Sequence, residues 1–399
     1  MNTEHSTLIN HAAVVHANEL VTQTGILHIL DRWRTEDNIT KRNGLVSERA
    51  VLVGLLLLAR EQSPLSLTLL GELLHRRLTS ASRQLLDLPA LGGSESTDET
   101  KRCVNRTQAA FHRMLALMDP YPKSTSARSF REISALIKDR DVVMESRMRA
   151  RLQEFSESFI LVTVAQQPPR LRDANPSIDL AIDQFFTPSP MVKGFSRGNL
   201  DRHVAEEATS GRASVPFRPV DVSADWQGPC EADADAGAGE SAGFVSQRPR
   251  PRWGWMVNVA VRVNADATRK LRAPALVIAA TLSMPKENVA DAAIHLMRSS
   301  LATGLTPGVV YADKAYFATQ PIKHLHLPTA ELGFTPVIGA HAGLTLEAFN
   351  AGFFSRRGER SASAGRVAGF APAQMLMTIE LAAYNLRVLD RFVRENPED

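Results

Sequence analysis

The sequence predicts an α/β protein in which a mixed β-sheet flanked by helices follows an all-helical region. Residues 1–165 have the apolar spacing of helices, whereas runs typical of strands begin at residue 178. Between them lies a polar, proline-containing stretch at 165–176 that is typical of a linker. Because 399 residues exceed one small domain, we expect a helical N-terminal domain at 1–165 and an α/β domain at 170–399.

Composition narrows the class of protein. Hydrophobic residues make up 44% and charged residues 22%, which is ordinary for a soluble globular chain. The net charge of +3 permits an anionic partner without requiring one. Cys103 and Cys230 have no disulfide-framework or zinc-site spacing. Neither a signal sequence nor an apolar run of about 18 residues occurs, so we expect a soluble cytoplasmic protein without a membrane partner.

The helical half is rich in leucine. The segment "SERAVLVGLLLLAR" (47–60) begins with Ser47, a good N-cap residue, and is apolar on nearly every side, which predicts a buried helix. Further helices are expected at 65–78 and 106–118. A DNA-reading helix-turn-helix within 47–87 and a simple bundle core are both open interpretations.

One long amphipathic helix is expected from Arg128 to about Val164. It carries several basic side chains, which either face phosphates or form a solvated surface balanced by acids. These basic residues are Arg131, Lys138, Arg140, Arg147, Arg149 and Arg151.

Strand patterns dominate the second half. Strands are expected at 178–183, 253–264, 274–283 and 307–313, with a helix at 286–302 before the last of them. A flexible excursion is expected at about 196–252. Trp253 and Trp255 flank Gly254 at a strand start, and packing is the favoured role over base stacking.

Two expected strands end in an aspartate. Asp183 closes "IDLAID" (178–183), and Asp313 closes "PGVVYAD" (307–313). If these strands are neighbours, the carboxylates lie close together and repel each other unless a cation lies between them. Such oxygen ligands suit Mg²⁺ or Mn²⁺. Asp179, on the same face of its strand as Asp183, is the competing ligand.

The sequence around these acids resembles DDE transposases of bacterial insertion sequences, particularly an actinobacterial group. "LAIDQFFTPSP" (180–190), "YADKAYF" (311–317) and "GLTLEAFNAGF" (343–353) are similar to the three catalytic blocks of that family. "APAQMLMTIELAAYNLRVLDRF" (371–392) is similar to its closing helix. The resemblance covers roughly 170–399.

The resemblance implies a ribonuclease-H-like catalytic domain, with Asp183 on its first strand, Asp313 on its fourth and Glu347 on a helix. It implies that these three acids hold Mg²⁺ or Mn²⁺ and cleave and join DNA by a two-metal mechanism. The expected partners are double-stranded DNA, both transposon terminal inverted repeats and target DNA, and further copies of the chain. The expected location is the cytoplasm, in association with the nucleoid.

The other site expectations have alternatives. Glu331 and Glu380 also lie on expected helices and compete with Glu347 as the third acid. Lys314 is expected to contact a phosphate or to be solvated. DNA-backbone contacts are expected from the basic residues of a small-residue segment after Glu347, namely Arg356, Arg357, Arg360 and Arg366. His324 and His326 are expected to share one strand face, without a third metal ligand nearby.

The spacing of the last two acids departs from the resembled family. Asp313 and Glu347 are 34 positions apart (347 − 313), whereas relatives of this kind usually carry a long insertion there. The spacing is compatible with DDE enzymes that lack the insertion, and it also resembles an internal deletion. The resemblance implies a transposase as the expected function, and the shortened half gives the alternative, a catalytically degenerate, transposase-derived DNA-binding protein. A stand-alone nuclease of the same fold is the third interpretation.

Overall fold

The fold is described from a computed structural model of the chain. The described residues are 8–41, 44–90, 97–122, 125–126, 128–190, 195, 197–209, 220–227, 252–264, 273–285, 287–312, 314–317, 321–338 and 368–397. None of the helices in these ranges is both long and apolar enough to cross a membrane.

The described part of the first half is helical, apart from the two-residue strand β1 (Thr125–Ser126). Its helices are α1 (His11–Gln23), α2 (Ile26–Glu36), α3 (Glu48–Arg60), α4 (Leu67–Arg76), α5 (Ser80–Leu85), α6 (Thr97–Leu115), α7 (Phe130–Lys138), α8 (Val142–Ala165) and α9 (Pro169–Asp173). The predicted cap of α3 is confirmed, because the Ser47 hydroxyl accepts a hydrogen bond from the Ala50 amide at 3.2 Å. Residues 50–59 of α3 are all buried, as expected for a helix in a bundle core.

The expected single helix from Arg128 to Val164 is wrong, because the chain breaks between α7 and α8. The Asp141 carboxylate accepts a hydrogen bond from the Met144 amide at 2.9 Å and so begins α8. A capping box formed by Ser129 and Glu132 begins α7. Apolar spacing alone did not reveal that two local caps interrupt the pattern.

Both interpretations of the basic residues on α8 are also wrong for its inner arginines. Arg151 is 4% exposed, and its Nη1 donates to an Asp37 carboxylate oxygen at 2.5 Å. Arg149 pairs with Glu287 at 2.7 Å. These guanidinium groups therefore hold parts of the protein together instead of facing solvent or phosphate.

The second half contains a mixed sheet. Its strands are β2 (Ser177–Pro188), β4 (Asp225–Gln227), β5 (Arg252–Val263), β6 (Val277–Ser283), β7 (Thr306–Ala312) and β8 (Thr335–Ile338), while β3 (Val220–Asp221) pairs with β1. The order is β4-β5-β2-β7-β8, and β6 also pairs with β5. β2 is antiparallel to β5, and β5 is antiparallel to β6. β7 runs parallel to both β2 and β8.

Helices connect and flank the strands. They are α10 (Leu200–Thr209), α11 (Val289–Leu301), α12 (Lys314–Phe317), α13 (His326–Glu331) and α14 (Phe370–Glu395). The expected strands and the helix that precedes β7 are confirmed, with boundaries that differ by a few residues, except that β2 continues to Pro188. The longer β2 arises because it pairs with β5 over its whole second half.

The excursion expected at about 196–252 is partly structured. Within its described residues, α10, β3 and β4 form, and β4 pairs with the start of β5. Trp226 of β4 packs against Trp253, with ring centroids 5.3 Å apart. Trp253 and Trp255 are 6% and 0% exposed, which confirms that they pack in the interior.

The outer edge of β6 is covered by two long helices. Asn385 of α14 accepts a hydrogen bond from the Val277 amide and donates one to the Val277 carbonyl, each at 2.8 Å. Gln153 of α8 donates to the Ala280 carbonyl at 3.3 Å. α14 also packs on α3, so the sheet and the helical layer share one hydrophobic core. The division into two domains stays a prediction.

Candidate active site at the ends of strands β2 and β7

Asp183 lies on β2, which is flanked on both sides by neighbouring strands. Its register partner on β5 is Val259, and its side chain is half-buried. One carboxylate oxygen accepts a hydrogen bond from the Gln184 amide at 2.7 Å. The adjacent strands thus fix the backbone that carries this carboxylate.

The parallel neighbour of β2 ends one residue before the second expected ligand. Ile182 of β2 is the register partner of Ala312, the last residue of β7. Both side chains are 1% exposed, so apolar packing holds this pair in place. Asp313 itself lies outside the described residues. The residue before Asp183 and the residue before Asp313 are therefore paired across the sheet.

The chain after Asp313 is also anchored. α12 contains Tyr316 and Phe317, which are 0% and 2% exposed. The Phe317 carbonyl lies 2.9 Å from Nε2 of His326 at the start of α13. In the sequence, two large aromatic residues directly after an acidic strand end are the signal of such an anchor.

Asp179 has a different environment from Asp183. It is 6% exposed, and its Oδ1 accepts a hydrogen bond from the Val309 amide of β7 at 3.0 Å. A Cβ on Gly308 would lie 2.2 Å from the same oxygen, so a larger residue there would have to displace the Asp179 carboxylate. Four residues along a strand span about 13 Å. Asp179 therefore joins β2 to β7 at a distance from Asp183.

Most of the other expected site residues lie outside the described residues. This applies to Glu347, Arg356, Arg357, Arg360 and Arg366. Lys314 begins α12, but its side chain is not among those described.

The competitors of Glu347 occupy different surroundings. Glu331 is exposed at the end of α13. Glu380 is 5% exposed on α14, the helix that packs against α3, α8 and β6.

The described residues contain no group of three or more His, Cys, Asp or Glu side chains placed to hold a metal ion. Of the three expected ligands Asp183, Asp313 and Glu347, Asp183 lies within the described residues. The expected placement of His324 and His326 on one strand face is wrong, because a turn precedes His326 and α13 begins there.

Comparisons with known proteins leave the family open. The chain matches no protein-family model and no curated protein. A crystal structure of a pre-cleavage Mos1 transpososome aligns with 84% of this chain and 98% of its own, at 12% identity and a TM-score of 0.22. A score this low carries no argument about fold or function.

Proposed function

We propose that this protein is a metal-dependent transposase that cleaves DNA and joins the ends to a target. The pairing of Ile182 with Ala312 carries the proposal. If that register continues by one position, Asp183 and Asp313 are adjacent on parallel strands about 4.8 Å apart. Two carboxylates at that separation favour a shared cation.

The strand order supports a ribonuclease-H-like domain. β2, β5 and β6 correspond to its first three strands, which are antiparallel neighbours, and β7 corresponds to the fourth. β7 lies parallel to β2, and Asp313 follows the last residue of β7 in the sequence. This arrangement agrees with the order expected from the resemblance.

In this proposal, Asp183, Asp313 and Glu347 hold Mg²⁺ or Mn²⁺. The ion would neutralise charge on a DNA phosphate and activate the attacking oxygen. The chain's own contribution is rigid placement of the Asp183 carboxylate, because β5 and β7 flank its strand. Lys314, Arg356, Arg357 and Arg360 would contact the DNA backbone. Paired DNA ends would be held by a homo-oligomer associated with the nucleoid.

The test is the Mn²⁺-dependent melting temperature of the full chain. Saturation at a hundred times Kd stabilises the native state by about 2.7 kcal/mol. For a chain of this length this corresponds to a shift of about 3 °C. Asp183→Asn, Asp313→Asn and Glu347→Gln should each reduce the shift strongly.

Matched controls are the competing acids, because Asp179→Asn and Glu331→Gln should keep the wild-type shift. Loss of the shift in Asp179→Asn but not in Asp183→Asn would show that Asp179, and not Asp183, is the metal ligand on β2. If the wild type shows no shift, or Glu347→Gln shifts fully, the three-acid site is not assembled. The degenerate DNA-binding protein is then the better interpretation.

A further inference from the structure

The exposed face of α6 carries a concentration of basic side chains. Lys101, Arg102 and Arg106 are exposed, and Arg113 is partly exposed. At 100° per residue, these four residues fall within an arc of about 140°. The same arc contains Asn105, Ala109 and His112. We call this surface the α6 basic face.

These cations have no counter-charge in contact among the described residues. None of Lys101, Arg102, Arg106 and Arg113 forms an ion pair or hydrogen bond with any described residue. The acids of the helix, Asp98 and Glu99, lie in its first turn, where they favour the positive end of the helix dipole. Within the part of the chain that the structure describes, no acid forms an ion pair with the rest of the face.

The opposite side of α6 fixes its position. Phe111 and Met114 are 2% and 0% exposed. Gly71 of α4 lies under Val104, and a Cβ on Gly71 would be 2.7 Å from Val104 Cα. Such a close helix crossing leaves little freedom for α6 to shift. The basic face is thus a rigid surface about 18 Å long from Lys101 to Arg113.

We propose that the α6 basic face binds the phosphate backbone of duplex DNA. Phosphates are recognised by arginine and lysine without a need for apolar contacts. The side chains between the cations, such as Asn105 and Ala109, are small or polar, whereas a membrane-binding helix presents large apolar groups beside its basic ones.

The dimensions also favour DNA over RNA. A helix enters the B-form major groove, which is about 12 Å wide, whereas the deep, narrow major groove of A-form RNA excludes it. The identification of the partner as DNA rests on the proposed function, but the existence of a phosphate-binding face does not.

The test is binding of a mixed-sequence 30-base-pair DNA duplex to the full chain, measured by fluorescence anisotropy at several salt concentrations with EDTA present. Arg102→Gln/Arg106→Gln should weaken binding at least tenfold at low salt. It should also reduce the slope of log K against log salt by about 2, since each lost phosphate contact contributes about 0.9.

The matched control is Arg298→Gln/Arg391→Gln, which removes the same charge from exposed positions on α11 and α14. It should change the affinity less than twofold. Equal loss in both double variants would reduce the effect to net charge and overturn the proposal, as would no loss in Arg102→Gln/Arg106→Gln. Circular dichroism melting of each variant shows whether the fold is intact.

Two features of the experiment distinguish DNA binding by the α6 basic face from metal binding at the candidate active site. The titrations are made in EDTA, where no divalent ion is bound, so failure of the metal site leaves the result unaffected. An RNA duplex of equal length should compete at least tenfold more weakly than DNA. RNA that competes equally well or better would overturn the assignment to DNA.

Discussion

Helices α6 and α8 both carry several basic residues, yet the structure uses them differently. On α8, Arg147 and Arg151 pair with Asp37, and Arg149 pairs with Glu287. On α6, no cation pairs with a described residue. The role of a basic run therefore depends on its surroundings, because two partners of α8, Asp37 and Glu287, lie far from it in the sequence.

The buried pairs on α8 also determine the local ionisation. Burial favours the neutral acid at Glu145, but hydrogen bonds from Arg140 and Tyr121 hold its pKa below the usual value. Burial raises the pKa of the neighbouring Tyr121 hydroxyl, which keeps it a hydrogen-bond donor to Glu145. These groups therefore stabilise the junction between the helices and the sheet.

The largest expected effect is a difference in the free energy of unfolding between a variant of α8 and a variant of α6. Arg151→Ala should lower the free energy of unfolding by about 3 kcal/mol, because Asp37 loses its buried partner. Arg102→Ala on α6 should change it by less than about 0.5 kcal/mol. Urea unfolding followed by tryptophan fluorescence measures both. Similar losses in the two variants would remove the distinction between a structural helix and an exposed one.

A smaller effect should appear in the stability of the protein at acidic pH. The hydrogen bond from Arg151 and the charge of Arg147 hold the pKa of Asp37 below its usual value. A carboxylate with a depressed native pKa stabilises the fold above its unfolded pKa of about 3.9, and this stabilisation is lost as pH falls through the native pKa.

Urea midpoints between pH 2 and 5 measure this loss. They should fall less steeply in Asp37→Asn than in the wild type. Arg102→Gln should follow the wild-type curve, since no described carboxylate pairs with Arg102. A flatter acid curve in Arg102→Gln would reveal a counter-charge on α6.

The smallest expected effect is a variant of α6 that raises the free energy of unfolding but weakens DNA binding. Arg102 and Arg106 are four residues apart on α6, so their repulsion destabilises the helix slightly. Arg106→Glu should therefore raise the free energy of unfolding by about 0.3 kcal/mol while weakening DNA binding more than Arg106→Gln does. Replicate thermal melts and anisotropy titrations measure the two quantities. A loss of both would indicate that Arg106 has a structural role.

Local patterns predicted much of the fold. The cap at Ser47, the strands that became β5 and β7, and the burial of Trp253 and Trp255 follow from nearby residues. The start of α6 was missed, because its acidic first turn reads as part of a polar gap. The break before α8 was missed because apolar spacing continues through it.

Long-range contacts explain the remaining differences. Arg151 pairs with Asp37 across 114 positions, and no local pattern indicates such a partner. The placement of Asp183 on a strand was predictable, whereas its register against β7 required the sheet. The α6 basic face left a signal in the sequence, since no acid occurs between Lys101 and Arg113.

The cover on the edge of β6 has a consequence for biosynthesis. Asn385 lies 108 positions after Val277, so the ribosome must add over a hundred residues before the edge is closed. At 5 to 20 residues per second, this takes roughly 5 to 20 s. During that interval β6 presents unpaired backbone groups to any other strand. Crowding of nascent chains on one messenger RNA should therefore favour aggregation through this edge until α14 covers it.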